Sequence, residues 1–205
     1  MREIDRALAE IADIRSQLAA GTMFRGFGPA VMIVTAGLAL AAAAAQSLWP
    51  GMLADGPGAY FGCWVVTALV AGALIVAEMK ARSQRLHGGL ADAMIVTAAE
   101  RFLPSGAAGA AIAAVLFEFA PEAQWMLPGL WQILVALGLF ASLRTLPRAI
   151  SLAGAWYFAA GIAVLILASG DHTLSPWAMG VPFAVGQALI AAILYVAGGE
   201  CDDRA

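Results

Sequence analysis

Charged residues are scarce in this 205-residue chain, at 12% against 62% hydrophobic. That balance excludes a soluble globular domain, whose surface must be polar enough to meet water. Lys and Arg are missing altogether from three places, near 49–59, 118–125 and 170–176. Cysteine is nearly absent: Cys63 falls in an apolar stretch and Cys201 in the C-terminal tail. Placed on different levels, they do not make a designed disulfide pair. The two histidines, His87 and His172, stand far apart in sequence. There is no His-Glu-x-x-His, no cysteine pair at metal spacing, no Walker A loop and no nucleophile elbow. These absences remove the usual metalloprotease, nucleotide-hydrolase and acyl-transfer readings, and no cofactor or metal is expected. A net charge of −3 does not suit nucleic acid. No carboxylate stands at the centre of an apolar stretch, which argues against a proton-driven pump.

Six uncharged apolar stretches are present, at roughly 27–48, 60–77, 102–117, 126–143, 149–169 and 177–197. A helix crossing a core of about 30 Å needs about 20 residues, so each stretch is read as a span. The basic residues then fall on alternate connections. Arg2, Arg6, Arg15 and Arg25 precede span 1. Lys80, Arg82, Arg85 and Arg101 lie between spans 2 and 3, Arg144 and Arg148 between spans 4 and 5, and Arg204 in the tail. Basic residues are retained on the cytoplasmic side. The expected fold is therefore an all-α integral membrane protein, a six-transmembrane-helix bundle with both termini cytoplasmic, in a bacterial inner membrane. Residues 1–24 are a cytoplasmic amphipathic helix, 25–199 the transmembrane domain and 200–205 a cytoplasmic tail. Ala43, Ala44 and Ala45 resemble a signal-peptidase site, but Glu3, Asp5, Glu10 and Asp13 are foreign to a basic leader. Span 1 is read as retained.

Within this frame the chain carries local signals. Ile4, Leu8, Ile11 and Leu18 repeat at helical spacing, so residues 2–20 form a helix that lies on the bundle or docks a partner. Gly37, Ala41 and Ala45 mark one face of span 1 for close helix approach. Span 3 has only 16 uncharged residues between Arg101 and Glu118, about 24 Å of helix. It is rich in Ala and Gly and is expected to be buried among the others. An interfacial helix over 90–103 is expected to precede it, with Pro104 in the first turn of a new helix. Spans 4 and 6 share an outline: Trp125, Pro128 and Gln132 in one, Trp177, Pro182 and Gln187 in the other. Each proline lacks an N–H and can free the carbonyl four residues earlier, at Gln124 or Ala178.

Candidate sites follow from the polar residues that remain. Gln132 and Gln187 must face protein or a wet cavity. They make either interhelical hydrogen bonds or, with Thr67 and Trp131, a solute path near the outer face. His172, Asp171, Glu118 and Glu122 form an acidic outer surface that could hold a cation or sense pH. Arg25-Gly26-Phe27-Gly28-Pro29 suits a lipid phosphate. The leading functional reading is a protein that acts through helix contacts, as partner subunit, scaffold or regulator. Its partners are the bilayer and a second copy or another membrane protein, met through small-residue faces or the 2–20 helix. The alternative is a small-solute or ion channel or exporter past Gln132 and Gln187. A lipid-directed intramembrane enzyme is the third reading, but no convergent His, Asp and Ser set stands out to carry catalysis.

Overall fold

The computed structural model describes residues 28–86, 91–143 and 147–202. The expected helix at 2–20, the Arg25 region up to Phe27 and Arg144 lie outside the described residues. The elements are α1 (Pro29–Leu48), α2 (Pro50–Leu53), α3 (Gly56–Leu86), α4 (Ala91–Phe119), a 310 helix (Pro121–Met126), α5 (Leu127–Ala141), α6 (Ile150–Ala168) and α7 (Trp177–Asp202). No strand occurs among the described residues. Six helices are long and apolar enough to cross a membrane, the 310 helix and α5 together making the fourth. Helices suit this composition because each helical segment satisfies its own backbone groups where lipid offers no partner.

Proline and a left-handed residue punctuate the helices. Pro29, Pro50, Pro121 and Pro128 stand in the first turns of α1, α2, the 310 helix and α5, where a missing N–H costs nothing. His172 has φ 52°, and its N–H donates to the Ala168 carbonyl at 2.8 Å, closing the end of α6.

The spans form a ring. Each packs on its sequence neighbours, and α7 closes onto α1. The most extensive contacts are α1 with α7 and α5 with α6. Glycine explains both. A Cβ on Gly180 of α7 would stand 2.5 Å from the Ala43 Cβ of α1. A Cβ on Gly161 of α6 would stand 2.7 Å from the Gly129 carbonyl oxygen of α5. In lipid, close van der Waals packing replaces the hydrophobic effect as the force between helices. Two clusters fill the ring. One, toward the end that carries Asp55, Glu118, Glu122 and Asp171, contains Ala43, Tyr60, Phe61, Trp64, Leu127 and Met179. The other, toward the end that carries Lys80 and Arg148, contains Met32, Leu139, Ile150, Tyr157 and Ile190. Phe183 touches both.

Four expectations need correction. Span 3 is not buried among the others: only 6% of Phe102–Phe119 is buried. It touches the bundle through a narrow face that includes Gly109, Ile112 and Leu116, and the rest of its surface faces away from the other spans. The Gly37 and Ala41 face of α1 points outward and leaves Gly37 with open space beside it. The face that packs is Ala36, Ala39 and Ala43. Pro104 lies inside a single continuous α4 and does not begin a new helix. Finally, Pro128 and Pro182 are not equivalent. Pro128 is in a first turn, and the Gln124 carbonyl is taken by the Leu127 N–H, whereas Pro182 is interior to α7.

Candidate functional site: polar groups in the bundle core

Pro182 organises the first cluster of polar contacts. Lacking an N–H, it leaves the Ala178 carbonyl without its helical donor. Gln132 Nε2 of α5 donates to that oxygen at 2.8 Å, from a side chain with 0% exposure. The neighbouring backbone is met from α6. Trp156 Nε1 donates to the Pro182 carbonyl at 2.9 Å, and the Tyr157 hydroxyl donates to the Phe183 carbonyl at 3.3 Å. The Gln187 side chain lies within range of the same Tyr157 hydroxyl. Gly180 and Gly186 flank the proline. A Cβ on Gly186 would fall on the Tyr157 ring, so a small residue is required there. Thus α5 and α6 hold the interrupted part of α7 with side-chain donors.

A second cluster closes the acidic end. Gln46 of α1 is also fully buried. Its Nε2 donates to the carbonyls of Leu53 and Tyr60, each at 3.0 Å, clamping the α1–α3 connection. The Tyr60 hydroxyl donates to the Ser175 carbonyl at 2.8 Å and ties the α6–α7 connection to α3. Gln46→Leu should lower stability by about 1–3 kcal/mol, because it strips a buried carbonyl and a half-buried one of a donor. Thermal unfolding of the reconstituted protein checks this, and an unchanged midpoint would show that the clamp is dispensable.

Among the described residues, four buried polar atoms have no hydrogen-bond partner: Gln46 Oε1, Trp64 Nε1, Gln132 Oε1 and Gln187 Oε1. For Gln46 and Gln132 the amide orientation is settled by chemistry. A flipped amide would set oxygen against a carbonyl oxygen, so both oxygens face away from those bonds. The Trp64 indole lies near the Tyr60 hydroxyl but does not reach hydrogen-bond geometry.

The residues singled out from sequence are dispersed. Gln132 faces α7, whereas Trp131 faces α4 and α3: its Nε1 donates to the Gly109 carbonyl at 3.1 Å and its ring meets Phe61 edge-on at 5.5 Å. Thr67 donates to the Cys63 carbonyl one turn back at 2.8 Å. Ala178, where Gln132 is anchored, and Gln187 are nine residues apart on α7, about 13 Å of helix. At the acidic end Glu118, Glu122, Asp171 and His172 are all exposed. The His172 ring stacks on Trp125, with centroids 4.7 Å apart and planes within 9°. Among the described residues, no three His, Cys, Asp or Glu side chains are placed to hold a metal.

Gln46, Trp156 and Tyr157 escaped the sequence reading. Gln46 did carry a signal, as a carboxamide ending an alanine run. Trp156-Tyr157 also did, because aromatic side chains with polar tips in the body of a span, away from an interface, need partners. Comparison with protein-family models, with curated proteins and with solved structures gave no match, so the chain is described by its own architecture, a ring of six apolar helices in a polytopic membrane protein.

Proposed function

We propose that this chain works through helix contacts in a bacterial inner membrane, as a partner subunit, scaffold or membrane-embedded regulator, with both termini cytoplasmic and no catalysis of its own. One observation carries the reading: a weakly apolar span is left almost without protein cover. The least apolar span, Pro121–Ala141 with mean hydropathy 1.4, is 44% buried. The next least apolar, Phe102–Phe119 at 1.6, is only 6% buried, and its neighbour Gly56–Ala81 is 17% buried. The remaining spans reach 33% to 44%. A short, weakly apolar helix gains little from lipid and more from another helix. The exposed residues of α4 include Gly106, Ala110 and Ala114, four apart and therefore on one face. A membrane partner seated on α4 and α3 would give them the cover that the other spans already have.

The alternative, a solute route past Gln132 and Gln187, has less support. The Gln132 amide is occupied at Ala178, and the two carboxamides sit at different depths.

Cysteine cross-linking tests the partner reading in native membranes, in a background with Cys63 and Cys201 replaced by Ser. Ala110→Cys on α4 and Ala163→Cys on α6 both start from exposed positions. The first is expected to form a discrete cross-linked species and the second none. Equal behaviour of the two, together with a strictly monomeric species on native gels, would reject the reading.

A further inference from the structure

The connection between α6 and α7, residues 169–176, is held to the acidic end at three points. The His172 ring stacks on Trp125 of the 310 helix, with centroids 4.7 Å apart and planes within 9°. The Leu174 side chain packs against the cluster that contains Tyr60 and Trp64. The Ser175 carbonyl accepts the Tyr60 hydroxyl at 2.8 Å. The last two holds are an apolar contact and a hydrogen bond between neutral groups. The first differs in kind, because histidine is the side chain that ordinarily changes charge between about pH 5 and 8. Among the described residues, His172 is also the one non-glycine residue with a left-handed backbone, φ 52°. Helices commonly close on glycine in that conformation. Histidine closes α6 in the same way, through its N–H to the Ala168 carbonyl at 2.8 Å, and adds a ring that reaches the fourth span.

We propose that the 169–176 connection is a proton-sensitive strap, fastened to the fourth span when His172 is charged and loosened there when it is neutral. A cation within about 6 Å of an indole centroid is drawn to the negative face of the ring. Near-parallel planes set the imidazole over that face and not against the positive ring edge. A neutral imidazole keeps the stacking contact and loses the charge term. The ionisable groups around the pair act in the same sense. Glu122 stands three residues before Trp125, one turn of a 310 helix, and so on the same face. Asp171 adjoins His172 in sequence, Glu118 lies at the end of α4, and Asp55 lies between α2 and α3. All four carboxylates are exposed, and the three connections at this end contain no Lys or Arg. An imidazolium there meets attraction alone. Leu174 and Ser175 stay anchored whatever the charge, so the strap peels from its α6 side and remains tied beside α7. Neither the strap nor Trp125 belongs to α3 or α4, so the device does not rest on the partner reading.

A nitroxide spin label on the strap tests this in the full chain in lipid nanodiscs. Thr173→Cys is exposed and carries the label, with Cys63 and Cys201 replaced by Ser. The spectrum gives the ratio of mobile to immobilised label, and the nitroxide itself does not titrate in this range. That ratio should be about two- to five-fold higher at about pH 8 than at about pH 5, the effect of a cation–π contact at an exposed site. His172→Asn keeps a residue that tolerates the left-handed backbone and removes the titrating ring. It should give the higher ratio at both pH values. Trp125→Leu keeps an apolar side chain and removes the ring face, and it too should abolish the pH dependence. A wild-type ratio that is constant, or that rises toward low pH, overturns the strap. So does a pH dependence that survives His172→Asn, which would belong to the carboxylates. A dependence that survives Trp125→Leu overturns it as well, because the charge would then be acting elsewhere than on the indole.

Discussion

Gln132→Leu should destabilise the bundle by about 1–3 kcal/mol, the cost of leaving a buried carbonyl without a partner, and most of that loss should disappear in a Pro182→Ala background. The reasoning is local. Pro182 deprives Ala178 of its helical donor, and Gln132 Nε2 supplies a replacement at 2.8 Å. With alanine at 182, the restored N–H reaches the same carbonyl along the helix, and the carboxamide is no longer needed there. Average interhelical hydrogen bonds in membranes contribute only about 0.6 kcal/mol, because polar groups find other partners when helices separate. The Ala178 carbonyl has no such alternative inside α7, so its loss should lie above that mean. Reversible unfolding of the four proteins in a double-mutant cycle reads the coupling. Equal costs of Gln132→Leu in both backgrounds would show that the carboxamide and the proline are unrelated.

The larger effect is expected at the α5–α6 crossing. Gly161→Val should cost about 3 kcal/mol or more, at the upper end for overpacking, and should loosen the two helices measurably. The added Cβ would stand 2.7 Å from the Gly129 carbonyl oxygen and 2.8 Å from Ile133 Cγ1. The Ile133 side chain can turn aside. The Gly129 carbonyl is backbone and moves only if α5 moves, which would open one of the two most extensive contacts in the ring. Gly37→Val is the control. It is the same substitution in another span, at a position with nothing within 4 Å of the new Cβ, and it should change stability little. Two similar losses would mean that the cost reflects valine in a membrane helix and not the crossing. Double electron–electron resonance between labels at Leu137 on α5 and Leu152 on α6, both exposed, should show a widened distance distribution for Gly161→Val alone.

Parts of this arrangement were legible residue by residue. The spans are continuous apolar runs of helix-crossing length, and charge breaks them at every connection, so their number needs no three-dimensional information. Their ends were less well marked. The fourth span begins at Pro121, through a 310 turn, ahead of the expected start near 126, because Glu122 and Gln124 interrupt the apolar run without interrupting the helix. The carbonyl released by Pro182 was also readable, since it follows from the covalent structure of proline. Which donor would meet it was not. That depends on Gln132 arriving from another span, 46 residues away in sequence.

The sequence alone determined that this chain forms apolar helices in a membrane, since hydropathy is a property of each segment by itself and lipid admits few backbone solutions. The tertiary structure alone decided which face of each helix meets protein. In water, apolar residues mark the inside. In a bilayer both the lipid-facing and the buried faces are apolar, so Gly37 and Ala41 read much like Ala39 and Ala43, and only the packing tells them apart. The packing of the single chain likewise decided that α4 is left uncovered, although its sequence pointed to burial.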